Sequence, residues 1–305
     1  MIDQKNFAVI GAAGYIAPRH LKAIQETGNR IVAVLDPHDS VGRLDSYSYD
    51  IDYFSEAERL ERCLQKLRFT DSPDKVDWVS VCSPNYLHDS HCRLGLEAGA
   101  NVICEKPLTL NTWNLDLLHD MEERTGKRIY TVLQLRLQEE LVKLKERIDA
   151  SDDIHYVEMK YITPRGRWYH ESWKGDVEKS GGLITNIGIH LLDMLIWLFG
   201  DVYHVDIHSH GDKYITGEFF QKKAKTRWGL SIDPRSLPEQ QLVPYKPVRT
   251  LWVDGVSVDF TGGFTDLHTE VYKKTLGGDG FTIEDARPAL VLAQNIRSII
   301  TMEEK

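Results

Sequence analysis

Cysteine is scarce in this sequence, and basic residues are outnumbered by acidic ones. Among 305 residues there are four cysteines, Cys63, Cys82, Cys92 and Cys104, all in the first half and with no CxxC pair. That excludes a disulfide scaffold and a thiolate zinc motif. Cys82 and Cys104 lie inside apolar, strand-like runs, where a thiol serves as a small hydrophobe. Lys and Arg total 37 against 46 Asp and Glu, a net charge of −9. A general attraction to nucleic acid or to an anionic membrane is thereby excluded, and any anionic ligand has to be met by a local cluster of cations. No apolar run is long enough to span a bilayer, and the opening MIDQKNFAVIGAAG lacks the basic, apolar and cleavage-site succession of a leader. A reducing cytoplasmic location is the expectation. Internal repeats and low-complexity tracts are also missing. What remains is an ordinary globular composition, 42% hydrophobic and 27% charged, on a chain long enough for two domains.

The stretch NFAVIGAAGYIAPRHLKAIQETGNRIVAVLDPH is the most informative. FAVIG predicts a short buried strand, the glycine turn leads into a helix starting near Tyr15 and running to Gly28, and RIVAVLD predicts a second strand ending in Asp36. Strand, glycine turn, helix, strand and acid is the order of a dinucleotide-binding βαβ unit. Glycines let the backbone approach a pyrophosphate, and a helix amino terminus supplies N–H groups for it. Gly11, Gly14 and Ala17 stand at three-residue intervals, one residue longer in the turn than G-x-G-x-x-G; alone this pattern is equally that of a tight turn, and the flanking elements favour cofactor binding. A carboxylate at Asp36 would accept from a ribose 2′-hydroxyl and repel a 2′-phosphate, so the cofactor expected is NAD. The alternative is an ordinary strand-end aspartate.

Further strands are predicted at VDWVSVCSP, NVICEKP and RIYTVLQLR, with a helix over about His88 to Ala98. Alternating strands and helices imply a parallel sheet, whose ligands gather at the carboxyl ends of the strands. Ser83, Pro84, Asn85, Glu105, Lys106 and Pro107 fall there; all of these but Pro107, with His88 at the start of that helix and with Gly11, Ala13, Gly14, Tyr15, Ile16 and Asp36, form the predicted cofactor set. Two charges closing an apolar strand are costly to desolvate unless paired or used, and Pro107 stiffens the exit from Lys106. After about residue 134 the pattern changes to a charged helix, LQEELVKLKERIDA, and long alternating runs such as HYVEMKYITPRGRWY, YITGEFFQKKAKTRWGLSID and RTLWVDGVSVDFT. These predict a largely antiparallel sheet with one covered face. The fold expected is α/β: a Rossmann domain over 1–134 and an α+β domain with an open-faced mixed sheet over 135–305, whose last helix can pack back on the first domain. Thr282 is a plausible cap of that helix.

Three groups of residues carry possible chemistry. In SGGLITNIGIHLLDMLIWLFGD, Asn186, His190 and Asp193 fall at i, i+4 and i+7 and share one face of a predicted helix. His190 and Lys106 can each take a proton from an alcohol as hydride leaves its carbon. TPRGRWYHESW concentrates Arg165, Arg167 and Tyr169 with tryptophans, a set that suits an anionic ligand; a surface loop with packed tryptophans accounts for it equally. Histidines at His88, His91 with Cys92, and at His204, His208 and His210, lack the spacing of a recognised zinc motif, so no metal is expected.

SPNYLH, EKP after an apolar strand, and GGLITNIGIHLLD together resemble the Gfo/Idh/MocA oxidoreductases over almost the whole chain. FAVIGAAGYIAPRHLKAI and YITPRGRWYHESWKGD resemble a narrower branch, the UDP-N-acetylglucosaminuronic acid 3-dehydrogenases of bacterial surface-polysaccharide (lipopolysaccharide, O-antigen) synthesis. The resemblance implies oxidation of a sugar C3 hydroxyl by NAD, and a homodimer or homotetramer paired through the second sheet. It implies Lys106 beside nicotinamide and the reacting alcohol, and His190 as the histidine of the helix motif. Arg165, Arg167, Tyr169 and Asn186 then belong, with Lys106 and His190, to the substrate site. Many relatives carry aspartate where Asn186 stands, and an amide cannot accept the proton, which shifts weight to Lys106. Two other readings stay open: a dehydrogenase of a free sugar or cyclitol such as inositol, and a non-catalytic NAD-binding regulator.

Overall fold

The computed structural model describes residues 4–237, 247–260 and 267–303; Thr261, the end of one alternating run, lies outside them. The chain divides into two compact units, one formed by Met1–Gln134 and Asp266–Ala286, the other by Leu135–Thr265 and Arg287–Lys305.

The first unit carries six strands: β1 (Asn6–Ile10), β2 (Arg30–Leu35), β3 (Asp52–Phe54), β4 (Trp78–Val81), β5 (Asn101–Cys104) and β6 (Ile129–Thr131). They form a parallel sheet in the order β3-β2-β1-β4-β5-β6. Every residue of β1 and β4 is buried, as continuous apolar runs require when helices cover both faces. The helices between the strands are α1 (Ala17–Glu26), α2 (Ala57–Phe69), α3 (His88–Glu97) and α4 (Thr112–Thr125). Strand order reverses between β1 and β4, so the loops leaving those two strands diverge and open the crevice where dinucleotides bind in such sheets. The helix expected from Tyr15 begins at Ala17, with Pro18 in its first turn; a proline there loses no helical hydrogen bond.

The second unit contains α5 (Glu139–Asp149), β7 (His155–Ile162), the short helices α6 (Arg167–Glu171), α7 (Val177–Ser180) and α8 (Gly182–Asn186), then α9 (Ile189–Phe199). Strands β8 (Val202–Gly211), β9 (Tyr214–Gln221), β10 (Ala224–Ser231), β11 (Val248–Val253) and β12 (Val256–Val258) complete a sheet ordered β12-β11-β7-β10-β9-β8. It is mixed, because β7 and β10 run parallel while the other pairs are antiparallel. Alternation is clean: Val157 and Met159 are buried, whereas Tyr156, Glu158 and Lys160 are exposed.

The apolar helix predicted to end at Gly200 is broken after Asn186: the stretch Val177–Asn186, which holds α7 and α8, meets α9 at 42°. At Gly188 a Cβ would lie 2.5 Å from the Ile184 carbonyl oxygen, so the close approach at the bend needs glycine. Asn186 is therefore not on one continuous helix with His190 and Asp193. Among the described residues no single helix is long and apolar enough to cross a membrane.

Two closing helices follow, α10 (Leu267–Leu276) and α11 (Ile283–Glu303). Residues 266–286 belong to the first unit, because α10 packs on α1 and buries His268, Val271 and Tyr272 there. Thr282 stands just before α11, the place expected for its cap. Asp285 Oδ2 accepts from the Thr282 N–H at 2.8 Å and from its hydroxyl at 3.0 Å, the returning half of a capping box.

Candidate active site

The turn after β1 is built on Gly11. Its φ is +88°, and a Cβ there would stand 2.7 Å from the backbone of Cys82 and Ser83. Only glycine lets these two diverging loops come so close. Gly14 closes the turn, its N–H donating to the Gly11 carbonyl at 3.0 Å. Ala13 donates to Asp36 Oδ2 and His38 to Asp36 Oδ1, both at 2.9 Å. Asp36 thus ties the turn to the end of β2 and sets a buried carboxylate at the rim. Among the described residues, the N–H groups of Tyr15 and Ile16 have no partner. Two open donors ahead of a helix, with an acid at the next strand end, fit the pyrophosphate and ribose of a dinucleotide. Tyr15 itself is 90% exposed, so its backbone is the part suited to this role.

A first expected result concerns this carboxylate. The parent protein should bind NAD more than about tenfold tighter than NADP, and Asp36→Ala should weaken NAD and narrow the gap, each factor of ten being about 1.4 kcal/mol. Calorimetric titration with both cofactors checks this; equal affinities in the parent would show that Asp36 does not meet the ribose.

The loops after β4 and β5 hold the remaining cofactor set, and here three side chains turn inward. The Ser83 hydroxyl is 2.8 Å from His91 Nδ1, and burial, with His88 nearby, lowers the His91 pKa to about 4. His88 is buried with Nδ1 2.7 Å from the Pro107 carbonyl and Nε2 2.8 Å from the Ser83 carbonyl. It bridges the two loops, so its ring nitrogens are occupied within the unit. Glu105 Oε1 lies 2.9 Å from His20 Nε2 and 3.0 Å from His268 Nε2, while Oε2 accepts the Lys106 N–H at 3.2 Å. Through these bonds Ser83, His88 and Glu105 hold the loops together. Pro84 and Asn85 begin the turn into α3, and Asn85 is buried. Lys106 is half-buried at the strand end, and its bond to Pro107 is cis.

His20, Glu105 and His268 are also a trio with metal-ligand atoms within 4.8 Å of one another. The two nitrogens share one carboxylate oxygen at hydrogen-bond distance, which accounts for the grouping without an ion. Burial pushes the Glu105 carboxyl up, but the bonds and charges of His20 and His268 outweigh it and hold the group well below the usual carboxylate range. Burial lowers the pKa of His20. Sequence reasoning missed His20, His268 and Tyr272. The available signal was His20 itself, a polar residue on the apolar face of α1 between Ala17, Leu21 and Ile24.

The second unit gathers Arg165, Tyr169 and Asn186. Asn186 Nδ2 donates to the Tyr169 hydroxyl at 2.8 Å, both residues being buried. Burial raises the Tyr169 pKa, opposed by the Asn186 bond and the Arg165 charge. Arg165 is half-buried, whereas Arg167 is exposed at the start of α6. His190 is half-buried in the first turn of α9. Asp193 is bound elsewhere: Arg136 grips it through NH2–Oδ1 at 2.7 Å and Nε–Oδ2 at 3.2 Å, a bidentate pair that anchors α9.

Comparison with known proteins agrees with this arrangement. Residues 5–133 match the Gfo/Idh/MocA profile described as an oxidoreductase family, NAD-binding Rossmann fold, and 145–226 match its C-terminal alpha/beta domain. A WlbA (WbpB) dehydrogenase from Thermus thermophilus, solved with NAD and UDP-GlcNAcA, is 46% identical, with a TM-score of 0.92 over 96% of this chain and 95% of that one. A Thermus thermophilus WlbA (WbpB) structure with NAD and alpha-ketoglutarate is 47% identical, with a TM-score of 0.90 over 94% and 93%. The D-glucoside 3-dehydrogenase of Escherichia coli is 30% identical over 139 residues, 44% of this chain and 40% of that protein. Matches to the first curated relatives span 35%, 40% and 54% of their lengths. With a Rossmann unit whose glycine turn and acid suit NAD, and with both family domains matched in order, the chain belongs to the Gfo/Idh/MocA family of NAD-binding oxidoreductases.

Proposed function

We propose that this protein oxidises the C3 hydroxyl of UDP-N-acetylglucosaminuronic acid to a ketone, within bacterial surface-polysaccharide synthesis. The observation that carries this is the 46% identity, over 96% of the chain, to a dehydrogenase solved with both NAD and UDP-GlcNAcA. NAD supplies the hydride acceptor. Lys106 Nζ takes the hydroxyl proton as the C3 hydrogen leaves with its electron pair. His190 holds the same hydroxyl, and the Asn186 amide, engaged with Tyr169, fixes that ring rather than taking a proton. Arg165 and Arg167 meet the anion. A relative bound to alpha-ketoglutarate supports a second half-reaction, in which a 2-oxo acid is reduced and NAD regenerated without leaving.

The open face of the second sheet, with Tyr156 71% and Trp252 43% exposed among charged neighbours, suits burial against a second copy, as a homodimer or homotetramer. NAD and UDP-sugars are cytoplasmic metabolites, and the reaction belongs in that compartment.

The test is a comparison of substrates. NADH formation and product mass should be positive with the UDP-uronic acid, and weak with UDP-N-acetylglucosamine, which lacks the sugar carboxylate, and with inositol. Arg165→Gln should raise KM at least about tenfold with little change in kcat, the mark of binding common to ground and transition states. Arg167→Gln, on the exposed turn, should have the smaller effect. If inositol turns over fastest, or if neither change alters the preference for the acid, the uronic-acid reading fails.

A further inference from the structure

The hydrogen-bond chain behind Lys106 has a consistent proton inventory. An ionised Glu105 accepts from both His20 Nε2–H and His268 Nε2–H. His20 Nδ1 is then an acceptor and takes the Tyr272 hydroxyl at 2.8 Å. The Tyr272 oxygen in turn takes the Ser80 hydroxyl at 2.6 Å. His268 Nδ1 is buried with no partner among the described residues, as befits the tautomer whose proton is spent on Glu105. All five side chains are buried. Such a polar group inside a Rossmann core costs more than apolar packing unless it specifies something, and the proposed mechanism uses none of it directly.

Among the described residues, its outlet toward the proposed site is the Lys106 backbone. Glu105 Oε2 receives the Lys106 N–H, and on the other side His88 holds the Pro107 carbonyl. The lysine is thus tethered at both neighbours, through His20 to the helix that follows the glycine turn, through His268 to α10, and through His88 to α3. We propose that Glu105 is a positioning residue: its carboxylate, gripped by His20 and His268, sets the backbone of Lys106 and through it the place of the amine relative to the reacting hydroxyl. This rests on the reading of Lys106 as the base.

Glu105→Gln keeps shape and removes the fit. An amide oxygen in the Oε1 position still accepts from both imidazoles, but the NH2 then faces the Lys106 N–H, donor against donor. Flipping the amide moves the clash onto the imidazoles. Misplacement of about 1 Å can cost about a hundredfold in rate, so kcat should fall about 10- to 100-fold while KM and the NAD Kd move by less than about threefold. The Lys106→Met background separates positioning from general weakening: the double variant should be no slower than Lys106→Met alone, within about twofold, because a base that is absent cannot be misplaced. Should Glu105→Gln fold poorly, Tyr272→Phe removes the donor to His20 Nδ1, and with it the acceptor of the Ser80 hydroxyl, and should lose about threefold in kcat, with the same non-additivity. An unchanged kcat in Glu105→Gln, or losses that multiply in the double variant, would overturn the proposal. A fully active Lys106→Met enzyme would overturn it together with the assignment of the base.

Discussion

Lys106→Met should reduce turnover by at least about a hundredfold, within the range of about 10² to 10⁴ for a group that moves a proton in the transition state. Methionine keeps much of the bulk and apolar contact of the lysine stem, so folding and NAD binding should survive. Because the amine acts only as the proton leaves, the loss should fall on kcat and kcat/KM alike. His190→Asn should lower kcat less, since asparagine still offers a hydrogen bond to the hydroxyl. Stopped-flow measurement of NADH formation gives both values. A Lys106→Met enzyme as fast as the parent would sink the assignment, and a His190→Asn enzyme slower than Lys106→Met would move the base to the histidine.

The second large effect is one of stability. The Arg136 and Asp193 side chains are 11% and 3% exposed, and their bidentate contact holds α9, the helix that presents His190. Asp193→Ala leaves a guanidinium with little water to replace its partner. Breaking a buried pair from one side costs about 3–5 kcal/mol, far more than replacing both members with apolar groups. Urea unfolding should show a lower midpoint for Asp193→Ala at unchanged slope. The double variant Arg136→Met with Asp193→Leu should recover most of the loss. If the double variant is as unstable as the single one, the pair is not the reason α9 holds its place.

Much of the first unit is legible in the sequence because its signals are local. The apolar run of β1, the glycine turn and Asp36 lie within thirty-odd residues, although the reason Gly11 must be glycine, its approach to the Cys82 and Ser83 backbone, shows only in the structure. The buried Glu105 cluster is not legible in this way. His20 and Tyr272 stand 252 positions apart, and α10 by itself reads as an ordinary amphipathic helix. Nothing in its pattern says that His268 and Tyr272 point at a strand end in the Rossmann sheet. The break in the 182–199 helix was hidden for a different reason. Helical periodicity continues through Gly188, and only in three dimensions does its close approach to the Ile184 carbonyl, which leaves no room for a Cβ, come into view. That bend separates Asn186 from His190, while Arg136, from a stretch with no motif of its own, claims Asp193. Ser83 and Glu105 stand at strand ends and His88 opens α3, but position along an element does not tell which way a side chain turns, and these three make their hydrogen bonds within the first unit.

The most direct measurement follows the hydrogen itself. UDP-N-acetylglucosaminuronic acid carrying deuterium at C3 should be incubated with the enzyme and NAD, and the products examined by mass spectrometry and NMR. The account predicts a 3-keto sugar without the label, deuterium on the nicotinamide ring of NADH, and, when a 2-oxo acid is added, deuterium at C2 of the resulting 2-hydroxy acid. Deuterium retained in an oxidised sugar product, or no oxidised product at all, would contradict it.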